Sequence, residues 1–353
     1  MQRPDLTGID PTVIAYIEYL ENELGRKASY EKRPADLADE TPVIEPTEAP
    51  TTFSLITISA SGMAKRSPRH LYARQHRAGM GIFDLEVPES DPPAFLAVAD
   101  ENQSLILFTN FARAFRYPLN KLEPAEIRSK GEWILDRLPL EPEERLATVL
   151  PDQASGYIAL VSQKGMVRSL RHHLFGEFLR PGTSFYNFRD FGPLAAACWT
   201  PGDGDLFITT RQGMAIRFSE KLVPPQGTLG IRVGSSDSVA GVAPVRDDSG
   251  VFLLSADGKG TIRQMSGFNP NKSTGGSGKI AIKSDELVGC TTVTPQDDLF
   301  IISSLGKLIR FRADEVPETE GVVQGVHCIN LRADRAVALT KSSPVNPLNF
   351  RSS

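Results

Sequence analysis

From residue 54 onward, short apolar and β-branched runs alternate with turn residues, and one pattern returns six times. The runs are SLITISASGMAKRS from Ser54, SLILFTNFARAFRY from Ser104 and YIALVSQKGMVRSL from Tyr157, then DLFITTRQGMAIRF from Asp205, VFLLSADGKGTIRQ from Val251 and DLFIISSLGKLIRF from Asp298. Each reaches a Ser or Thr: Ser59, Thr109, Ser162, Thr210, Ser255 and Ser303. Three residues later stands a small residue, Gly62, Ala112, Gly165, Gly213, Gly258 or Gly306. An arginine follows within five more: Arg66, Arg116, Arg168, Arg217, Arg263 and Arg310. The Ser/Thr anchors are spaced by 50, 53, 48, 45 and 48 residues.

Such a run predicts a β-hairpin, in which a buried strand enters a tight turn whose glycine takes a positive φ and then returns. A second half-repeat adds strand, from Ile231, Ile280 and Cys328. Four short strands per repeat mark a propeller blade, and blades that cannot bury both faces alone stack into a ring. The expected fold is all-β, a six-bladed β-propeller over residues 53–345, with blades starting near 54, 104, 157, 205, 251 and 298. In blade two Phe111 and Phe115 occur where a turn glycine might be, so its turn is expected to differ from the others. Trp133 and Trp199 are expected to pack between blades.

Ahead of the repeats, residues 1–33 form an N-terminal helix segment and residues 34–52 an acidic, Pro-rich linker. Asp10-Pro11 is a helix start, and Val13, Ile14, Ile17, Leu20 and Leu24 recur at helical spacing up to Gly25. A helix this short needs burial of its stripe, either on the body of the chain or on a partner, self-association included. The linker, rich in Pro, Asp and Glu, reads as a flexible tether.

The 353 residues carry a net charge of −4, unevenly spread. Residues 1–52 hold 5 Lys+Arg and 11 Asp+Glu, which leaves the body close to neutral. No run approaches the ~18 apolar residues of a membrane span, and the three cysteines, Cys198, Cys290 and Cys328, give no disulfide framework. A cytoplasmic protein, away from the membrane, is the expectation. The adjacent pair His172-His173 points to opposite faces of a strand and makes no metal site, and no cofactor motif is present.

The repeat motif, an apolar run, Ser/Thr, two residues, Gly and then Lys/Arg, resembles the C-terminal domain of DNA gyrase A, with a more degenerate version in topoisomerase IV. The resemblance spans about residues 54–340 and implies a β-pinwheel, a propeller whose neighbouring blades exchange strands. After Gly62-Met63-Ala64-Lys65-Arg66 comes Gln75-His76-Arg77-Ala78-Gly79-Met80-Gly81, similar to the gyrase box Gln-Arg-Arg-Gly-Gly-Lys-Gly. Gln75, Arg77, Gly79 and Gly81 match; His76 and Met80 each replace a cation. The resemblance implies ring closure and a grip on DNA by this box, and with two cations gone it implies binding and modest bending over full wrapping. The family's cleavage tyrosine domain has no counterpart in residues 1–53, so no catalytic residue is expected and the chain is not an enzyme by itself.

Cations concentrate early in the ring. Residues 54–81 hold five and no carboxylate, whereas residues 298–325 are net negative. Bending a short duplex must be offset by cation–phosphate contacts. The expected DNA-binding set is therefore Lys65, Arg66, Arg69, Arg74, Gln75, Arg77, Arg113, Arg116, Lys164, Arg168 and Arg171, reading phosphates without sequence preference. Double-stranded DNA is the expected partner, in the nucleoid, and a second expected partner is a gyrase or topoisomerase IV catalytic subunit. The rival reading is a protein-interaction scaffold on a degenerate pinwheel, supported by the near-neutral body and the altered box.

Overall fold

The computed structural model describes residues 10–14, 16–21, 48–153 and 155–343. Six sheets, here blades I to VI, stand around a central channel. The hairpin of blade I pairs Phe53–Ser59 with Met63–Pro68, and Pro93–Asp100 is the inner strand beside it. The other hairpins begin at Ser104, Tyr157, Asp205, Gly250 and Asp298, and each has its own inner strand. The fourth, outer strand is two residues long and comes from the following blade. Glu132–Trp133 of blade II completes blade I, Thr183–Ser184 of III completes II, and Thr228–Leu229 of IV completes III. Lys279–Ile280 of V completes IV, and Val326–His327 of VI completes V. Blade VI is completed by Ile82–Phe83, from blade I, which pairs Leu308 and Lys307. The strand exchange closes the ring.

The hairpin strands are apolar on both faces because each blade is covered by a neighbour on either side. Ile56, Leu107, Ile158, Ile208, Leu253 and Ile301 are fully buried. The Ser/Thr anchors have a local reason as well. Ser59, Thr109, Ser162 and Ser303 each accept, on the side-chain oxygen, the backbone N–H four residues on, which ties off the turn. The turn of blade II differs from the expectation. Ala112 takes the left-handed conformation of its glycine counterparts, at φ 54°, and its N–H donates to Thr109 O at 2.9 Å as Gly62 N–H does to Ser59 O. The fully buried methyl of Ala112 is retained at a cost of ~1 kcal/mol in backbone strain. Trp199 is buried and donates to Pro151 O of blade II, but Trp133 lies on an outer strand and is 45% exposed. Its two-residue strand has a blade beneath it and nothing above. His172 and His173 lie in a 3-10 turn rather than a strand.

Residues 11–14 and 16–21 are helical, with Asp10 as N-cap. Its carboxylate accepts from Thr12 N–H at 2.8 Å, and hydrogen bonds from the Thr12 side chain and backbone hold its carboxyl below the ordinary value. The helix rests on the junction of blades I and VI, where Glu18 is buried beside Arg332 and Tyr19 meets Phe83 edge-on. Val13, Tyr16 and Leu20 remain exposed. Gly25 and residues 34–47 of the expected linker lie outside the described residues. Within residues 48–52, Glu48 is fastened to the body: it pairs with Arg69 of blade I and, at 2.7 Å, with Arg310 of blade VI. Asp298 joins this seam, 2.7 Å from Arg74 and 2.5 Å from Arg310.

Two predictions concern closure. Gly81 has φ +70°, and a Cβ there would meet Leu308 O at 2.8 Å, so backbone crosses backbone with no room for a side chain. Gly81→Ala is expected to lower stability by at least ~2 kcal/mol, from left-handed strain plus the displaced strand, with proteolytic cleavage appearing first near residues 75–91. Glu48 supplies the second. Burial alone would raise its carboxyl, but the hydrogen bonds and charges of Arg69 and Arg310 outweigh this and hold it below the ordinary glutamate value. A carboxyl depressed in the folded state stabilises above its unfolded pKa, and this contribution fades as pH falls through the folded one. Glu48→Gln is expected to cost about 1–2 kcal/mol at pH 7. In urea titrations its difference from the parent chain should shrink below pH 4.5, the ordinary glutamate value; a difference independent of pH would refute the seam's role.

Candidate nucleic-acid interface

The six repeat arginines share one geometry, and it is internal. Each reaches from its hairpin into the next blade and donates to carbonyl oxygens in that blade's 3-10 turn or up to six residues after it. Arg66 Nε bonds Leu122 O at 2.8 Å, Arg116 Nη1 bonds Phe175 O at 3.3 Å, and Arg168 Nε bonds Pro225 O at 2.9 Å. Arg217 Nη1 bonds Met265 O and Phe268 O, Arg263 Nη1 bonds Gly321 O, and Arg310 Nη1 bonds Tyr72 O at 2.9 Å and Arg69 O at 3.2 Å. Carboxylates share the load: Asp152 for Arg116, Asp205 and Asp247 for Arg217, Asp298 for Arg310. A planar five-donor fork suits this task, since it holds several acceptors at once. The arginines therefore clamp the outgoing chain that supplies the exchanged strand.

The cations expected in blades I and II are largely committed in the same way. Lys65 is 1% exposed, with Nζ 2.5 Å from Asp84 Oδ1 and 3.0 Å from Asp84 O. Asp84 also accepts from Tyr72 Oη and Thr57 Oγ1, both at 2.6 Å. Burial pushes the Lys65 ammonium down despite the Asp84 charge, and burial with that charge pushes the Tyr72 phenol far up. Arg69 is buried against Glu48 and Ser342. Arg74 pairs with Asp298, and Arg113 holds Glu144 at 2.5 Å and Gly182 O at 3.0 Å. Paired with carboxylates or carbonyls, and buried in the case of Lys65, Arg66 and Arg69, these groups present little charge to a polyanion, which differs from the phosphate role expected of Lys65, Arg66, Arg69, Arg113 and Arg116. Of the expected set, Arg74, Lys164 and Arg171 are exposed, Arg74 while paired with Asp298.

The box lies across the seam from blade I to blade VI. Gln75 N–H donates to Arg310 O at 2.7 Å, Ala78 N–H to Cys328 O at 2.9 Å, and Asn330 N–H to Gly79 O at 2.9 Å. Gln75 Oε1 accepts Gly81 N–H at 3.2 Å, and Arg77 Nη1 reaches His327 O at 3.3 Å. Arg77 N–H and His76 both face Glu315. Ala78 stands at φ 62°, where the gyrase box has glycine. Sequence reasoning did not see that Gly81 is one of six. Gly131, Gly182, Gly227, Gly278 and Gly325 occupy the same crossing in the other blades, each leaving its Cβ within 2.8 Å of the preceding hairpin. Their regular recurrence was the available signal.

The outer rim carries a different charge map. In blade III, Arg171 and Arg180 are exposed on the stretch Arg171–Gly182, with His173 beside them and Glu177 as the opposing carboxylate. Blade IV adds exposed Lys221, while its Glu220 is buried on Ser169 and Thr200. Blade V adds exposed Lys272 and Lys279 on a stretch, residues 265–284, free of Asp and Glu. The matching stretch of blade VI is acidic, with Asp314, Glu315, Glu318 and Glu320. Thus the exposed cations least offset by carboxylates lie on blades III to V, which differs from the expected I to III: in blade I the cations are used in the seams, and in blade II the exposed Lys121, Arg128, Lys130 and Arg137 alternate with exposed Glu123, Glu126, Glu132 and Asp136. Lys221, Lys272 and Lys279 stand outside the expected set, although the acid-free stretch in blade V is legible in the sequence.

The central channel, about 920 Å³, is lined by small inner-strand residues such as Ala97, Ala196, Gly241 and Gly289. Among the described residues there is no cluster of three or more His, Cys, Asp or Glu able to hold a metal ion, and no helix long and apolar enough to cross a membrane.

Comparison with known proteins places this geometry. The family model of the DNA gyrase C-terminal domain, beta-propeller, matches residues 54–91, 204–246 and 297–340. DNA gyrase A of Mycobacterium leprae (strain TN) is 27% identical over 304 residues, 82% of this chain and 24% of the relative. That of Mycoplasma pneumoniae (strain ATCC 29342 / M129 / Subtype 1) is 25% identical over 288 residues, 79% of this chain and 34% of the relative. The chain thus spans between a quarter and a third of the length of these two relatives. Among solved structures, a DNA gyrase A C-terminal domain superposes with a TM-score of 0.71 at 18% identity, covering 82% of this chain and 99% of that one. A C-terminal domain of DNA topoisomerase IV gives 0.58 at 17% identity, covering 84% of this chain and 94% of that one. With its repeats, exchanged strands and box-like closure, the propeller of this chain is similar in sequence and in fold to the DNA gyrase A C-terminal domain.

Proposed function

We propose that the pinwheel binds duplex DNA without sequence preference and bends it along its outer rim, as a non-catalytic accessory to a type II topoisomerase in the cytoplasm. The observation that carries this reading is the basic arc of blades III to V. Arg171, Arg180, Lys221, Lys272 and Lys279 are exposed there, with Glu177 as the exposed carboxylate on the same loops. Side chains on successive blades fit a phosphate backbone that follows the rim, and backbone contacts carry no base code. The altered box supports modest bending over full wrapping: His76 and Met80 stand where the gyrase box has cations, so the seam contributes little grip at that side of the ring. Partnership with a topoisomerase catalytic subunit follows from the similarity to DNA gyrase A. The helix over the blade I–VI seam, with Val13, Tyr16 and Leu20 exposed, offers a place for such a contact.

Five phosphate contacts set the expected salt dependence. The slope of log K against log salt should be about −4.5, a loss of some ~500-fold between 50 and 200 mM. Fluorescence anisotropy with a random-sequence duplex measures it. Reversing Arg171, Arg180, Lys221 and Lys272 to Glu is expected to abolish binding at 100 mM salt while leaving the melting curve near that of the parent. Reversing Lys65 or Arg310, both buried, is expected to unfold the ring instead. Absence of binding to the parent at 50 mM salt sinks the DNA reading and leaves a protein-interaction scaffold.

A further inference from the structure

We propose that Phe178, at the tip of the blade III rim loop, is a wedge that inserts between base pairs and kinks the bound duplex. This deepens the DNA-binding reading and rests on it. Phe178 is 97% exposed, whereas the next most exposed large hydrophobic among the described residues, Ile280, is 49% exposed. A lone exposed apolar side chain needs no explanation by itself. Its setting supplies one.

The tip is built on fixed ground. On its N-terminal side, Phe175 is fully buried and stacks on Phe185 with ring centres 4.3 Å apart, and Arg116 holds its carbonyl. On its C-terminal side, Leu179 packs against the blade II–III core, and its N–H closes a turn onto Gly176 O at 3.0 Å. Thr183 donates to Arg180 O through both N–H and Oγ1, at 3.1 and 2.7 Å. Gly182 N–H donates to Ala114 O at 3.0 Å, and Arg113 Nε to Gly182 O at 3.0 Å. The ring of Phe178 is therefore held out from a loop fastened at both ends, so little conformational freedom is left to lose on insertion.

The charges around it select the occupant. Arg171 and Arg180 are exposed on the same stretch, against Glu177. An apolar ring between cations matches a base stack between two phosphate strands. Apolar wedges of this kind unstack one base step and bend the duplex by ~20–90°, most readily at flexible pyrimidine–purine steps. Blade III also begins the basic arc. A kink there redirects the duplex so that its backbone reaches Lys221 on blade IV and Lys272 on blade V, and those contacts offset the lost stacking. The corresponding loop of blade IV, Pro224-Pro225-Gln226, has no such side chain, so the kink is local to one blade.

The experiment uses the full chain with a 50-base-pair random duplex carrying donor and acceptor dyes at its ends, and a second duplex with 2-aminopurine at TA steps. The parent is expected to raise energy transfer and 2-aminopurine emission together. Phe178→Ala, a change at a solvent-exposed site, should keep its melting curve and lose no more than about tenfold in affinity. It should lose both optical changes, and Phe178→Trp should retain them. Equal energy transfer and emission for Phe178→Ala and the parent overturn the wedge while the DNA reading stands. No binding by either protein at 50 mM salt overturns both. Loss of a co-purifying protein from Phe178→Ala, with DNA bending unchanged, assigns the tip to a protein partner and also overturns the wedge.

Discussion

Strand exchange is the constraint on which the rest of this molecule depends. A blade of three strands leaves an outer edge of unpaired N–H and C=O groups, and an open edge invites pairing with another chain. Each hairpin therefore needs two residues from the next blade, and those residues must cross the intervening seam at backbone contact. Two side-chain choices make the crossing feasible. A glycine stands where the chains touch, as Gly81 does against Leu308. An arginine from the receiving hairpin grips the carbonyls of the incoming segment, as Arg310 grips Tyr72. Five of these crossings connect neighbours in sequence order. The sixth must join residues more than 200 apart, Ile82–Phe83 to Lys307–Arg312, and it carries the extra polar seam of Glu48, Arg69, Arg74 and Asp298. Closing so long a loop has the largest entropic cost in the ring, which accounts for concentrating charge-assisted bonds there.

That use of charge reshapes the surface. A guanidinium that clamps a seam is subtracted from the field felt by a polyanion, whether or not it is near the rim. Blades I and II are rich in cations and rich in partners for them. On the rim loops of blades III to V the cations stand exposed with few exposed carboxylates, Glu177 on blade III and none over residues 265–284 of blade V. Net charge per segment and exposed net charge therefore rank the blades differently. The near-neutral total is no objection to a nucleic-acid surface, because the acidity sits in the leader, in the seams and on blade VI.

The architecture was legible because repetition amplifies weak signals. One hairpin motif is ambiguous; six at nearly equal spacing are not, and the family resemblance supplied the exchange of strands. The turn of blade II was misjudged at Ala112, where burial of one methyl outweighs the local preference for glycine. The site was less legible, for a physical reason. A strand-end arginine looks the same in sequence whether it meets phosphate or a carbonyl across a seam; only the long-range contact distinguishes Arg66, held by Leu122 O, from exposed Arg171. Trp133 shows the same limit in reverse, since an apolar side chain on a two-residue outer strand has no second layer to cover it.

The box joins these threads, because its two tasks fall on different atoms. Closure uses Gln75, the backbone of Ala78 and Gly79, and the side-chain-free crossing at Gly81. Grip on DNA would use side chains that point away from the seam, such as His76, whose ring is 98% exposed beside Glu315. The substitutions at His76 and Met80 remove charge from the second group and leave the hydrogen bonds of the first in place. The third departure, Ala78, stands in a left-handed turn, at the cost of strain. A box that had merely decayed would lose both sets alike. This one keeps what closes the ring and carries less charge at its exposed positions, so closure and surface charge are separable tasks of the same seven residues.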